Sequence, residues 1–283
     1  MLYLVTLVIF LIWAIYVIRK GCMTWHTILS IYFVTVFVVD FGDVPCGYWF
    51  HFYDLEVHLL SNLDVGHYLG IIFSDGLIFP LIAIVFCYYT ARHHHPWILS
   101  FIFAFMLGII EFVYVKLGFM VYHYWFYWTT AVLAFLTLRV LACFSARFID
   151  YTPPVSYRFR LLCAIYVISE WPGAILGGAM RLYQYKPYIF TNETANDRFI
   201  AMILATIMGA TAAVLIKKIP KKYRIILFLG LGVSSSIFAS WMHWSGLLQY
   251  KHWNSYFTII RYMMPYLIVY LYDRWESCYI KKL

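Results

Sequence analysis

The sequence predicts an all-α, polytopic membrane protein: about nine transmembrane helices in one membrane domain over 1–283, N-terminus outside and C-terminus inside. Three observations predict it. Apolar residues make up 64% of the chain and charged residues 12%, against about a quarter charged in soluble domains. Several apolar runs reach the ~18 residues that suggest a bilayer span, too many for one soluble core to hide. Lys and Arg collect in alternate loops, as membrane topology requires.

The first run, 2–18, follows Met1 directly and lacks a basic leader and a small-residue cleavage site. Arg19 and Lys20 come after it, so it reads as a retained span and not a cleaved signal peptide. The remaining spans are expected at 25–41, 66–90, 97–119, 123–145, 158–181, 197–216, 223–245 and 255–272. One set of loops then holds Arg19, Lys20, Arg92, Arg147, Arg158, Arg160, Lys217, Lys218, Lys221, Lys222, Arg224, Arg274, Lys281 and Lys282. The opposite set holds Lys116, Arg181, Lys186, Arg198 and Lys251, with the acids Asp40, Asp43, Asp54, Glu56, Asp64, Glu193 and Asp197. The positive-inside rule sets the orientation from this bias. The formal charge of +8 is what basic residues facing anionic lipid produce, so no nucleic-acid partner is implied. The partner implied is the lipid bilayer, at the cell membrane.

Two outer loops are long. The first, about 40–66, carries Trp49, Phe50, Phe52 and Tyr53; the second, about 183–198, contains Asn192-Glu193-Thr194, a glycosylation acceptor pattern. Such rings read first as an interfacial aromatic belt. The six cysteines show no CxxC and no regular spacing, so neither a disulfide framework nor a zinc site is expected.

One pattern recurs: acid, aromatic, four residues, apolar, Gly, five residues, Tyr. It reads Glu111-Phe112, Leu117-Gly118, Tyr124 in the fourth span and Glu170-Trp171, Leu176-Gly177, Tyr183 in the sixth. The end of the second span gives Asp40-Phe41, Cys46-Gly47, Tyr53. The eighth gives a degraded form, Ser240-Trp241, Gly246-Leu247, Trp253. The recurrence predicts repeated helical hairpins at about 25–65, 66–128, 129–190 and 197–253, in parallel orientation.

Ionisable residues inside spans cost roughly 2.5–3.5 kcal/mol each at a helix centre and usually face a bundle interior. Here they are Asp75, Glu111, Arg139, Glu170 and Arg261. Three acids against two bases leave one acid over. Glu111 and Glu170 are the expected central acids, Asp75, Arg139 and Arg261 their partners, and His243 a further polar contact. Pro172 removes a helix hydrogen bond beside Glu170, which makes Pro172-Gly173 the expected hinge. His93-His94-His95 cannot converge on one ion from a helix, so no metal and no cofactor are expected. Phosphate-loop, HExxH, GxSxG and DxxxD signatures are missing.

The stretch 54–128, through Asp64, His67-Tyr68, Asp75, Phe79-Pro80, Glu111-Phe112, Lys116-Leu117-Gly118 and Tyr122 to Trp125, resembles an uncharacterised family of small multi-pass membrane proteins from spore-forming Bacillota. The resemblance implies membrane location and origin and no mechanism. Three functional readings follow. The first is a transporter or channel-like protein with a polar pathway for a small solute or ion. The second is a structural or assembly protein of a bacterial (spore) envelope, with a membrane-protein partner or as a homo-oligomer. The third is a lipid-modifying enzyme with divalent metal on Asp40, Asp43 and Asp54.

Overall fold

Every helix has to satisfy its own backbone groups if it is to lie in hydrocarbon, and the computed structural model is accordingly almost entirely helical. The described residues are 2–21, 23–58, 63–93, 95–149 and 156–280. Cys22, His94, Lys281 and Lys282 lie outside them, as do the side chains of Asp64, Arg147 and Cys278. Among the described residues eight helical stretches are long and apolar enough to cross a membrane, and the protein is a polytopic helical membrane protein. The chain divides into two compact units, Met1–Val155 and Ser156–Leu283.

Unit 1 begins with α1 (Leu2–Arg19) and α2 (Trp25–Val44), which widens into a π-helical turn, Pro45–Trp49. A short strand β1 (Tyr53–Leu55) follows. Next, α3 (Leu63–Phe73) and α4 (Phe79–His93) form one span through a second π-helical turn, Ser74–Ile78. Then come α5 (Pro96–Lys116), β2 (Met120–Tyr122) and α6 (Tyr127–Ile149). Unit 2 contains α7 (Tyr157–Gly173) with a π-helical turn at Ala174–Ala179, β3 (Tyr183–Tyr185), α8 (Glu193–Leu215), α9 (Arg224–Trp244), β4 (Leu248–Tyr250) and α10 (Ser255–Ile280).

The two units use the same local devices at a constant register. β1 pairs antiparallel with β2, Tyr53 opposite Tyr122; β3 pairs with β4, Tyr183 opposite Tyr250. The Phe52 carbonyl accepts the amides of His123 and Tyr124, and the Leu182 carbonyl those of Lys251 and His252. The Glu56 amide donates to Phe119 O, and the Lys186 amide to Leu247 O. Left-handed backbone occurs at His51 and His58 in one unit and at Arg181 and Tyr188 in the other. The helices before β2 and β4 both end on a left-handed glycine, Gly118 at φ 75° and Gly246 at φ 80°, the usual way to stop a helix without a Cβ clash.

Small residues allow close helix approach where no hydrophobic effect drives it. At Gly209 on α8 a Cβ would fall 2.8 Å from the Leu162 carbonyl oxygen of α7. Asn192 accepts the amides of Thr194 and Ala195 and so caps α8. The 26-residue α10 is long enough to span, and it carries Arg261, Asp273 and Glu276, whose partners lie within unit 2.

We expect Gly209→Val to lower the melting temperature of the detergent-solubilised protein, at the ~1–3 kcal/mol scale of overpacking. Gly230→Ala, with nothing within 4 Å of its Cβ position, should leave it unchanged. Differential scanning fluorimetry of both variants makes the comparison.

Candidate functional site

The buried charges follow opposite plans in the two units. In unit 2 three acids each meet an arginine, and a fourth arginine meets tyrosines. Glu170, 2% exposed, accepts a hydrogen bond from Arg198 in a buried ion pair. Arg160 bridges Glu276 at 2.7 Å and Arg224 bridges Asp273 at 2.7 Å; Tyr157 also donates to Asp273. Arg261 donates to the Tyr185 hydroxyl at 2.7 Å, and its guanidinium lies 4.6 Å from the Tyr183 ring centroid and 4.9 Å from that of Tyr262. These are cation–π distances.

Pro172 does not break α7. The helix runs through it and opens at Ala174 into the π-helical turn. Gly173 has a packing role: a Cβ there would fall 2.4 Å from Arg261 Nη2. The Tyr183 hydroxyl donates to the Gly173 carbonyl at 3.3 Å. Arg261, Tyr185, Tyr262 and Ala205 line one small cavity.

Unit 1 brings no base to three acids: Asp75 and Glu111 are buried and Asp43 is half-buried. Asp75, in the second π-helical turn, is 0% exposed. Ser74 donates to its Oδ1 at 2.7 Å, and its Oδ2 has no hydrogen-bond partner. Asp43 interacts with the Asp75 carboxyl and with the Tyr53 hydroxyl, and Asp40 lies within electrostatic range of both acids. Burial first, then the charges of Asp43 and Asp75, hold the Tyr53 phenol well above its ordinary range. Tyr53 is therefore a fixed donor. No Lys or Arg among the described residues pairs with Asp43, Asp75 or Glu111.

The common register makes the contrast specific. His67 Nδ1 accepts the Leu55 amide and Asp197 Oδ1 the Tyr185 amide, each at 2.8 Å. Counted from these, Tyr68 corresponds to Arg198 and Asp75 to Ala205; counted from Tyr53 and Tyr183, Asp40 corresponds to Glu170 and Asp43 to Gly173. Arg261 corresponds to Leu133 in unit 1, counted from the threonines Thr130 and Thr258. Unit 2 thus sets a guanidinium against the place where unit 1 carries its acids.

Glu111 is held differently from Glu170. Its Oε1 accepts from Tyr122 and, at 2.8 Å, from Thr130 Oγ1, which in turn accepts from Trp125 Nε1 at 2.6 Å. Its Oε2 has no hydrogen-bond partner. Each of the two acids is bonded within its own unit. Arg139 lies over the Trp97 ring at 3.8 Å and meets neither. His243 packs its ring on Tyr250 and shares a 2.9 Å hydrogen bond with the Leu248 carbonyl, so it ties α9 to β4. Sequence reasoning set aside Asp43 as a loop acid because it lies just past the expected span end. It also missed Arg198, counted among the outer-loop bases although the expected span begins at 197. Asp54 leaves the opposite face of β1 from Tyr53 and joins His51 and His123, so Asp40, Asp43 and Asp54 do not form one metal site.

No family model matches the chain, and comparison with characterised proteins and with solved structures returns no match.

Glu170→Gln should destabilise the protein, since breaking a buried pair leaves a lone charge at a cost of about 3–5 kcal/mol. Asp75→Asn should leave stability unchanged or raise it, because it relieves like-charge repulsion. Melting temperatures of the two variants in one detergent will separate them.

Proposed function

We propose that the protein is a transport protein of the cell membrane whose unit 1 takes up a cation, a proton in the smallest case, between Asp43 and Asp75. The observation that carries this reading is Asp75: a fully buried carboxyl with one oxygen unpartnered, facing a second acid with no base at hand. Ionised carboxylates are acceptors only. Two of them in contact in a low-dielectric interior repel unless a proton or cation lies between them. Asp43 stands just before the π-helical turn Pro45–Trp49 and Asp75 lies within the turn Ser74–Ile78, and such turns are frequent where a helix serves a ligand. Unit 2 supports the same reading by contrast, because it supplies a cation of its own in Arg261.

Purified protein reconstituted in liposomes tests the proposal. Proton or small-cation flux should exceed that of empty vesicles and fall at least tenfold in Asp75→Asn and Asp43→Asn. Glu193→Gln, at an exposed acid, should behave as wild type. Fluxes that all match empty vesicles, or a wild-type rate in Asp75→Asn, would sink it.

A further inference from the structure

A second group of side chains lies outside the membrane-spanning stretches, on the other face of β1 from the buried acids. His51, Asp54 and His123 bring one ligand atom each to within 4.8 Å of one another. His123 Nε2 is 2.8 Å from Asp54 Oδ2, and His51 Nδ1 is 3.6 Å from Asp54 Oδ1. The two imidazoles lie nearly parallel, with centroids 4.5 Å apart. Ligand atoms bound tetrahedrally to one ion at ~2.1 Å stand roughly 3.4 Å apart. The observed spacings bracket that value, so small side-chain rotations would close the set on an ion.

From this geometry we propose that His51, Asp54 and His123 bind a divalent transition metal of the zinc, cobalt and nickel class. Two imidazoles and one carboxylate suit such ions, whereas calcium and magnesium ask for oxygen ligands. Three protein ligands leave a fourth position for water. His67 Nδ1 also lies 3.6 Å from Asp54 Oδ1, but it is not the missing ligand, because that atom already accepts the Leu55 amide.

The second unit is an internal control. It keeps the same backbone frame, including left-handed backbone at Arg181 as at His51 and the paired amide bonds to the Leu182 and Phe52 carbonyls. At the three ligand positions it carries Arg181, Gln184 and Lys251. The frame therefore demands neither histidine nor aspartate, and packing alone does not account for all three metal-ligating types converging in unit 1. An arginine, a glutamine and a lysine offer no comparable site.

The test uses the full-length protein in detergent, stripped with chelator and then titrated with Zn²⁺ by calorimetry and with Co²⁺ by visible absorption. Wild type should bind one Zn²⁺ per chain in competition with Co²⁺, and Zn²⁺ should raise its melting temperature. The triple variant His51→Arg/Asp54→Gln/His123→Lys carries the residues that unit 2 holds on the same frame. It should melt like metal-free wild type and bind at least tenfold more weakly. Replacing His93 and His95 by Ala should leave binding unchanged. No Zn²⁺ binding by wild type, or undiminished binding by the folded triple variant, overturns the proposal. If the triple variant does not fold, His123→Ala replaces it, and an unaltered Co²⁺ spectrum in that variant overturns the proposal equally.

Discussion

A charge inside an apolar bundle has to meet a counter-charge in the same interior, because hydrocarbon supplies no water to solvate it. Unit 2 meets this constraint with three acid–base pairs and leaves Arg261 to aromatic faces and a hydroxyl: Glu170 takes Arg198, Glu276 takes Arg160 and Asp273 takes Arg224. Each arrangement joins residues distant in sequence, so the charges also specify which helices meet. Unit 1 meets the constraint only in part. Its acids receive hydroxyl donors from Ser74, Tyr122 and Thr130, and hydroxyls stabilise a carboxylate without neutralising it. The shortfall of positive charge gives unit 1 its chemical character.

That difference is set on a shared frame. Both units turn the chain back through a π-helical segment and a left-handed residue. Both satisfy the exposed backbone with a three-residue ribbon, and both restart the next helix under a tryptophan that donates to a threonine: Trp125 to Thr130, Trp253 to Thr258. This correspondence is what a duplicated four-span unit would leave, with α1 added to unit 1. Matching backbone devices fix where side chains stand, and substitution at those places then decides the charge. Asp43 against Gly173 and Asp75 against Ala205 remove acid from unit 2, and Arg198 against Tyr68 adds base.

Much of the fold was legible in the chain. Apolar runs locate the spans because backbone satisfaction in lipid leaves few alternatives to a helix. The recurrent acid–Gly–Tyr pattern was visible too, but it merges two structures. Gly47 and Gly177 sit in π-helical turns under His67 and Tyr183, whereas Gly118 and Gly246 stop helices with left-handed backbone. Spacing alone does not distinguish a helix that widens from one that ends. Charge partners were less legible. Arg139 carried the expectation of an acid and stacks instead on Trp97, because a guanidinium can be accommodated by an aromatic face. His51, Asp54 and His123 needed the pairing of β1 with β2, and strands of three residues leave no periodic trace.

The role of Glu111 changes most under this comparison. In unit 2 the equivalent position is Ala239, and there Thr258 donates directly to the Tyr250 hydroxyl at 2.8 Å while accepting from Trp253. The tyrosine–threonine–tryptophan closure is therefore complete without an acid. Glu111 is an addition to it: one oxygen enters the closure and the other stays unpartnered, within electrostatic range of Asp43. A carboxylate spent only on holding the hairpin would gain from a base at this distance, as Glu170 gains from Arg198. Its lack of one places Glu111 with Asp43 and Asp75 rather than with Glu170. Glu111, Asp43 and Asp75 thus share the lack of a Lys or Arg partner among the described residues, while Glu170 is paired with Arg198 within unit 2.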